Sequence, residues 1–389
     1  MSPERPYDLV VFGATGFTGR LVAEYLAARP PLDPPLRWAV AGRDLAKLEA
    51  LRKALGRKVG LIVADAGDPT SLARMAEVTR VVATTVGPYI RYGDAVVRAC
   101  VDAGTDYADI TGEPEFVDRT IVRYHDVAEA KGVRVVNCCG FDSVPHDLGA
   151  FYTVRQLPPS VPIRVEGFVR TRGGLSAGTW TSALDAFART AQTRRARRAR
   201  MDTQIPLRGE RKVASTRPQL HYEPRLHGWL VPLPTIDSDV VLRSARIDPR
   251  YGPEFRYGHY LRVRRFSTLV AGAAAVGGVY LGARLAPTRA LLRRAKGAGE
   301  GPSPEARARA RFEVLFHGQG GGRTVRCRVA GGDPGYDETA KMLAESALCL
   351  ARDRKRLPGP CGVVTPAAAM GDALLVRLQA AGLIFETLE

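Results

Sequence analysis

The chain lacks the features that mark several large functional classes. It has six cysteines, Cys100, Cys138, Cys139, Cys327, Cys349 and Cys361, and no two of them form a CxxC pair. Cys138 and Cys139 are adjacent within an apolar run. This pattern gives little support to a disulfide framework or a structural zinc and reads as buried free thiols. Met1 to Asp8 holds Glu4, Arg5 and two prolines and no apolar signal core, so a cytoplasmic location is expected. No Ser-His-Asp spacing, metal-ligand cluster or activated cysteine pattern emerges. Hydrolase and metalloenzyme readings therefore have no positive support, and no metal is expected. There is no internal repeat.

Acid is scarce in one region only. Residues 1–150 carry 18 basic and 20 acidic groups, and residues 301–389 carry 12 and 10. Residues 151–300 carry 27 and 10, which supplies the whole net charge of +17. A near-neutral start and end flank a basic middle, which should meet something anionic. A chain of 389 residues fits about two domains at ~100–200 residues each.

The first third alternates. Apolar runs at Tyr7–Phe12, Leu36–Ala41, Leu61–Ala64, Val81–Val86, Tyr107–Ile110 and Arg134–Cys139 read as buried strands. Helical stripes lie between them: Leu21, Val22, Tyr25 and Leu26; then Leu45, Leu48, Leu51 and Leu55; later Val96, Val97 and Cys100. Such alternation predicts a doubly wound parallel sheet with helices on both faces, a Rossmann-type α/β arrangement.

Gly13-Ala-Thr-Gly-Phe-Thr-Gly19 separates the first strand from the first helix. Glycines here permit the tight turn, the close approach of a pyrophosphate and close helix–strand packing. Free N–H groups at the helix start then hold phosphate. At the end of the second strand an NAD site places an acid, but this chain has Ala41-Gly42-Arg43. Gly42 gives room and Arg43 suits a 2′-phosphate, so NADPH is the expected cofactor. The competing readings are a solvated Arg43 or a ribose hydroxyl held by Asp44. Asp65 ends the third strand, where it either meets the adenine edge or caps a turn. Thr85-Val-Gly87-Pro88-Tyr89 leaves the carboxyl end of the fourth strand, the side on which the ligand crevice forms. The expected cofactor-binding set is Gly13, Thr15, Gly16, Phe17, Gly19, Gly42, Arg43, Asp65, Thr85, Gly87 and Pro88.

These segments, with Asp106-Tyr-Ala-Asp-Ile-Thr-Gly-Glu113, Cys139-Gly-Phe-Asp-Ser-Val-Pro145, Gly173-Gly-Leu-Ser-Ala-Gly-Thr-Trp180, Gly332-Asp-Pro-Gly-Tyr336 and Gly362-Val-Val-Thr-Pro-Ala-Ala-Ala-Met-Gly371, occur in one order. In them the chain resembles the saccharopine dehydrogenase-like oxidoreductases, and among these the mycobacterial trans-acting enoyl reductases, which serve polyketide-type lipid synthesis. The resemblance implies a Rossmann domain over residues 1–148, a basic central α+β domain over 149–335, and a C-terminal segment, 336–389, that returns to the first domain. It implies NADPH as hydride donor and an acyl chain on a carrier domain as substrate. The substrate-binding set of enzymes that make or split saccharopine is not found in residues 151–330.

Enoyl reduction needs a donor for the enolate oxygen and a proton at the α-carbon. The catalytic candidates are the phenols of Tyr89 and Tyr107, with Ser143 and His146 after the sixth strand. Asp142 either orients one of these or caps the next helix. His146 is either a proton donor or a solvated helix-start residue. Glu113 either binds the nicotinamide ribose or opens a helix before Pro114.

Arg189, Arg194, Arg195, Arg197, Arg198 and Arg200 form a basic run. It reads as a solvated face, or as a contact for an acidic acyl carrier domain or an anionic membrane surface. Nucleic acid is disfavoured, because no stacking aromatics are interleaved. Ser267 to Ala283 is 17 residues without charge, with four glycines and five alanines, against the ~20 that a span needs. A tightly packed or membrane-touching helix is expected there rather than a span. A membrane contact would put the protein at the inner face of the cell membrane. Alternatives to a reductase are a non-catalytic NADP sensor and a peripheral lipid-binding protein.

Overall fold

The computed structural model describes residues 5–173, 180, 184–185, 188–202, 211–233, 235–284, 287–288, 301–357 and 359–388. Two compact units result. One comprises residues 1–141 and 335–381, the other residues 142–334 and 382–389.

The first unit is a parallel sheet. Its strands are β1 (Tyr7–Phe12), β2 (Trp38–Gly42), β3 (Gly60–Val63), β4 (Thr79–Thr84), β5 (Asp106–Asp109) and β6 (Arg134–Val136). Between them run α1 (Phe17–Ala28), α2 (Leu45–Leu55), α3 (Pro69–Glu77), α4 (Tyr89–Ala103) and α5 (Pro114–Ala130). β1, β2 and β4 are almost wholly buried, as strands covered on both faces must be. Each has an unbroken apolar centre, Leu9–Phe12, Trp38–Ala41 and Val81–Ala83, which is why length rather than alternation identifies them.

The chain then enters the second unit through α6 (Val144–Val154). There follow β7 (Ile163–Arg172), α7 (Thr190–Asp202), β8 (Lys212–Ser215), β9 (His221–Glu223), β10 (Gly228–Pro232), α8 (Ile236–Ile247), β11 (Glu254–Val263), α9 (Phe266–Arg284), α10 (Pro304–Arg309), β12 (Arg311–Gly320) and β13 (Arg323–Gly331). Gly321 and Gly322, both at positive φ, make the β12–β13 hairpin turn. This sheet is mixed: β7 pairs in parallel with β11 and antiparallel with β12.

The chain returns to the first unit as α11 (Asp337–Arg352), β14 (Gly362–Val364) and α12 (Pro366–Ala380). β14 joins β6 in parallel and completes the order β14-β6-β5-β4-β1-β2-β3. The His125 ring holds it there, accepting from Val363 N at 3.1 Å. Glu345 of α11 is fully buried; it accepts from Tyr25 of α1 at 2.6 Å and pairs with Arg29 and Arg377. Residues 336–389 do not travel together, however. The last strand, β15 (Ile384–Leu388), pairs with β13 in the second unit. The first boundary falls between Phe141 and Asp142.

None of the six cysteines is in a disulfide, and all but Cys361 are buried. α7 carries the basic run as a mostly solvated face: Arg194, Arg195, Arg197 and Arg198 are exposed, while Arg200 is buried beside Asp239. Of the two alternatives for α9, tight packing and membrane contact, tight packing is not what the structure has: only 6% of Phe266–Ala283 is buried, and nothing lies within 4 Å of a Cβ placed on Gly272, Gly277 or Gly278.

Candidate nucleotide and reduction site

The glycine turn is built by contact distances. Gly13 has φ +85°, and a Cβ there would meet Val86 Cγ2 at 2.8 Å and Thr85 Oγ1 at 2.9 Å. A Cβ on Gly19 would lie 2.2 Å from Gly13 O. Gly13 therefore makes the turn and Gly19 lets α1 pack against it. At Gly16 the nearest atom to a Cβ is Gly13 O at 3.3 Å, so this glycine leaves open space at the helix start. Gly16 caps α1 with no side-chain hydrogen bond, and a helix N-terminus directs its first amides and dipole toward an anion. Thr15 is exposed beside them, and the Phe17 ring packs edge-on against Tyr336 at 4.8 Å. Thr85 donates from Oγ1 to the carbonyls of Phe12 and Gly13 and so ties the β4 end to the turn.

At the end of β2, Gly42 is buried and Arg43 is exposed. Asp44 is occupied as the cap of α2, accepting from Lys47 N at 3.1 Å. Asp65 is a turn acid: its Oδ1 accepts from Gly67 N at 2.8 Å. Gly87 and Pro88 lie at least partly exposed at the β4 end. Glu113 caps α4, accepting from Tyr89 N at 3.0 Å and Ile90 N at 2.8 Å, which are duties of helix termination rather than of ribose binding. These residues fit a phosphorylated dinucleotide: a helix N-terminus, a glycine cradle and an exposed guanidinium at the second strand end.

Both phenols lie inside the first unit. Tyr89 donates to Thr84 O at 3.1 Å and accepts from Ile110 N at 3.4 Å. Tyr107 donates to Asp109 Oδ2 at 2.9 Å. Burial pushes both hydroxyls well above the ordinary phenol range. Asp109 also accepts from Asn137 Nδ2 at 2.7 Å and from the amides of Thr111 and Cys138. Burial raises its carboxyl to about 6 despite those bonds.

Ser143 and His146 belong to the second unit. α6 starts at Val144 with Ser143 as its cap residue, so Asp142 does not cap it. Ser143 and His146 are both buried. His146 packs edge-on against His259 at 4.5 Å, and His259 Nε2 lies 3.4 Å from Asp237 Oδ2. Tyr257 contacts His259 Nδ1 at 3.1 Å, and Thr235 donates to Asp237 Oδ2 at 2.5 Å. Burial holds His146 neutral, pulling its imidazole down to about 3 against the opposing field of Asp237. The ligand atoms of His146, Asp237 and His259 lie within 4.8 Å of one another, a donor set suited to a small divalent ion. Asp237 and His259 had no motif or spacing to announce them. Most of the Gly173–Trp180 motif, residues 174–179, lies outside the described residues.

The Saccharopine dehydrogenase NADP binding domain family matches residues 9–136. The trans-acting enoyl reductase of Mycobacterium bovis BCG is 36% identical over 423 residues, covering 100% of this chain and 99% of that protein. That of Mycobacterium ulcerans is 36% identical over 418 residues, with 98% of each covered. A Mycobacterium tuberculosis H37Rv relative reaches 39% over 415 residues. The chain belongs to the saccharopine dehydrogenase-like enoyl reductase family. Its fold is also that of yeast saccharopine dehydrogenase (L-Glu forming), at TM-score 0.56 and 16% identity over 98% of this chain and 99% of that one. As a saccharopine dehydrogenase-like protein with an NADP-binding domain, the chain is an oxidoreductase whose cofactor is NADPH.

Proposed function

We propose that the chain is a trans-acting enoyl reductase, which reduces a 2-enoyl thioester carried on the acyl carrier of a separate synthase during lipid synthesis, in the cytoplasm. The supporting observation is identity of 36–39% to relatives of that name over both units, not over the nucleotide-binding unit alone.

NADPH, when bound, supplies the hydride. The residues of this chain do the rest. The first amides of α1 hold the diphosphate, and Arg43 pairs with the 2′-phosphate by charge-assisted bonds. Hydride addition to the β-carbon puts negative charge on the thioester oxygen, and the enolate is then discharged as its α-carbon takes up a proton from solvent. Neutral donors serve that oxygen, and Ser143 Oγ and His146 are the candidates. Tyr89 and Tyr107 shape and stiffen the ends of β4 and β5. The arginine face of α7 complements an acidic carrier domain.

The test is NADPH oxidation with a 2-enoyl thioester on an acyl carrier protein. Turnover should exceed that with the free small-molecule thioester and should fall as salt rises. NADPH binding with no oxidation of any enoyl thioester would refute the assignment.

A further inference from the structure

α9 has no place in the reduction chemistry, yet it exposes more large apolar side chain than any other described helix. Phe266, Val270, Val276 and Leu281 are 51–66% exposed. At about 100° per residue they occupy one arc of roughly 140°. Small residues fill the opposite side, among them Ala271, Gly272, Ala275 and Gly278. Nineteen residues at ~1.5 Å each give a helix of about 28 Å, close to the hydrocarbon thickness.

Topology decides between crossing and lying flat. β11 and β12 flank β7. Leu261 near the end of β11 pairs with Val169, and Arg311 at the start of β12 pairs with Arg172. The chain therefore leaves the sheet for α9 and rejoins it at the same end of β7. A single crossing would strand β12 on the wrong side. The sequence of 285–310 offers no second uncharged stretch of ~20 residues, since Arg289, Arg293, Arg294, Lys296, Glu300 and Glu305 are spread along it.

The same sheet end has an interfacial character. Trp229 pairs with Val263 and packs against Phe266 at 5.1 Å and against Tyr222 at 5.6 Å. Around it Arg170, Arg172, Arg264, Arg265, Arg309 and Arg311 are exposed. Aromatic rings beside arginines at the foot of an exposed apolar helix suit the boundary between headgroups and acyl chains.

We infer that α9 lies in the plane of a bilayer rich in anionic phospholipid, with its Phe266–Val270–Leu281 face among the acyl chains and the arginine collar on the headgroups. The inference stands apart from the reductase reading, since it uses none of the nucleotide site.

The full chain is mixed with vesicles of phosphatidylcholine alone or with added phosphatidylglycerol, sedimented, and washed with salt or alkaline carbonate. Binding should require phosphatidylglycerol and should be released by carbonate. Val270→Asp with Leu281→Asp should abolish it while leaving NADPH affinity and melting temperature unchanged. Arg264→Glu with Arg265→Glu should weaken it at least about tenfold. Three results would overturn the inference: no vesicle binding, carbonate resistance, or a wild-type dimer that the aspartate pair converts to monomer, which would make a second copy the occupant.

Discussion

Two alanine substitutions separate what the glycines do for the fold from what they do for the cofactor. In Gly19→Ala the new methyl would lie 2.2 Å from Gly13 O, 2.7 Å from Gly13 C and 2.8 Å from Thr85 Oγ1. Two of these are backbone atoms of a turn fixed by Gly13 N to Ala41 O at 2.9 Å, so they cannot rotate away. Carbon atoms pack at ~3.5–4.0 Å, so α1 must retreat by about 1 Å from β1. Overpacking of this kind costs ~2 kcal/mol, which lowers the melting temperature by about 4–8 °C in a unit of this size. In Gly16→Ala the nearest atom is 3.3 Å away and the backbone, at φ −79° and ψ 167°, is one alanine adopts freely. Stability should stay within ~0.5 kcal/mol of wild type. The methyl would instead occupy the diphosphate's approach, and NADPH affinity should fall at least about tenfold, or ~1.4 kcal/mol. Thermal melts without nucleotide and calorimetric titration with NADPH read the two effects. The reasoning fails if Gly16→Ala melts as low as Gly19→Ala, or if it binds NADPH as tightly as wild type.

Arg43→Ala should weaken NADPH by about 10–100-fold, the worth of charge-assisted bonds, and NADH by no more than ~threefold; equal losses would show that Arg43 does not read the 2′-phosphate. Glu345→Ala leaves Arg29 and Arg377 without their buried carboxylate and should cost ~3–5 kcal/mol in chemical denaturation, with a loss under ~1 kcal/mol counting against the buried network. Asp109 titrates near 6 in the fold against an ordinary 3.8, so its protonated form is favoured by folding. Its contribution is complete below the unfolded value and fades as pH rises through about 6, on the order of 3 kcal/mol in all. Asp109→Asn should flatten that decline in denaturation curves taken across this range; an unchanged slope would mean that Asp109 is ionised in the fold.

The nucleotide-binding unit was readable in the chain because its signals are local. β1 needs only Tyr7–Phe12 to be apolar and followed by Gly13, and the glycine spacing then fixes the turn. β14 escaped notice because three residues, Gly362–Val364, carry no period; their place is set by β6 and His125. The second sheet was less readable. Lys212–Ser215 and His221–Glu223 are short and largely exposed, and partners rather than composition make them strands. His146, Asp237 and His259 come from three separate elements, so no spacing joins them. α9 was visible as an uncharged stretch, but a helix apolar all round looks the same whether buried or bare.

The path of the polypeptide has a consequence for its synthesis. The edge strand beside β6 begins at Gly362, and more than half the chain separates it from Val136. The final strand of the mixed sheet is made last of all, at Ile384–Leu388. A ribosome delivering this protein completes the parallel sheet only with Gly362–Val364 and the mixed sheet only with Ile384–Leu388. Nicks or stop codons ahead of residue 362 should therefore yield fragments with open β edges that need chaperones or aggregate, and not a working half.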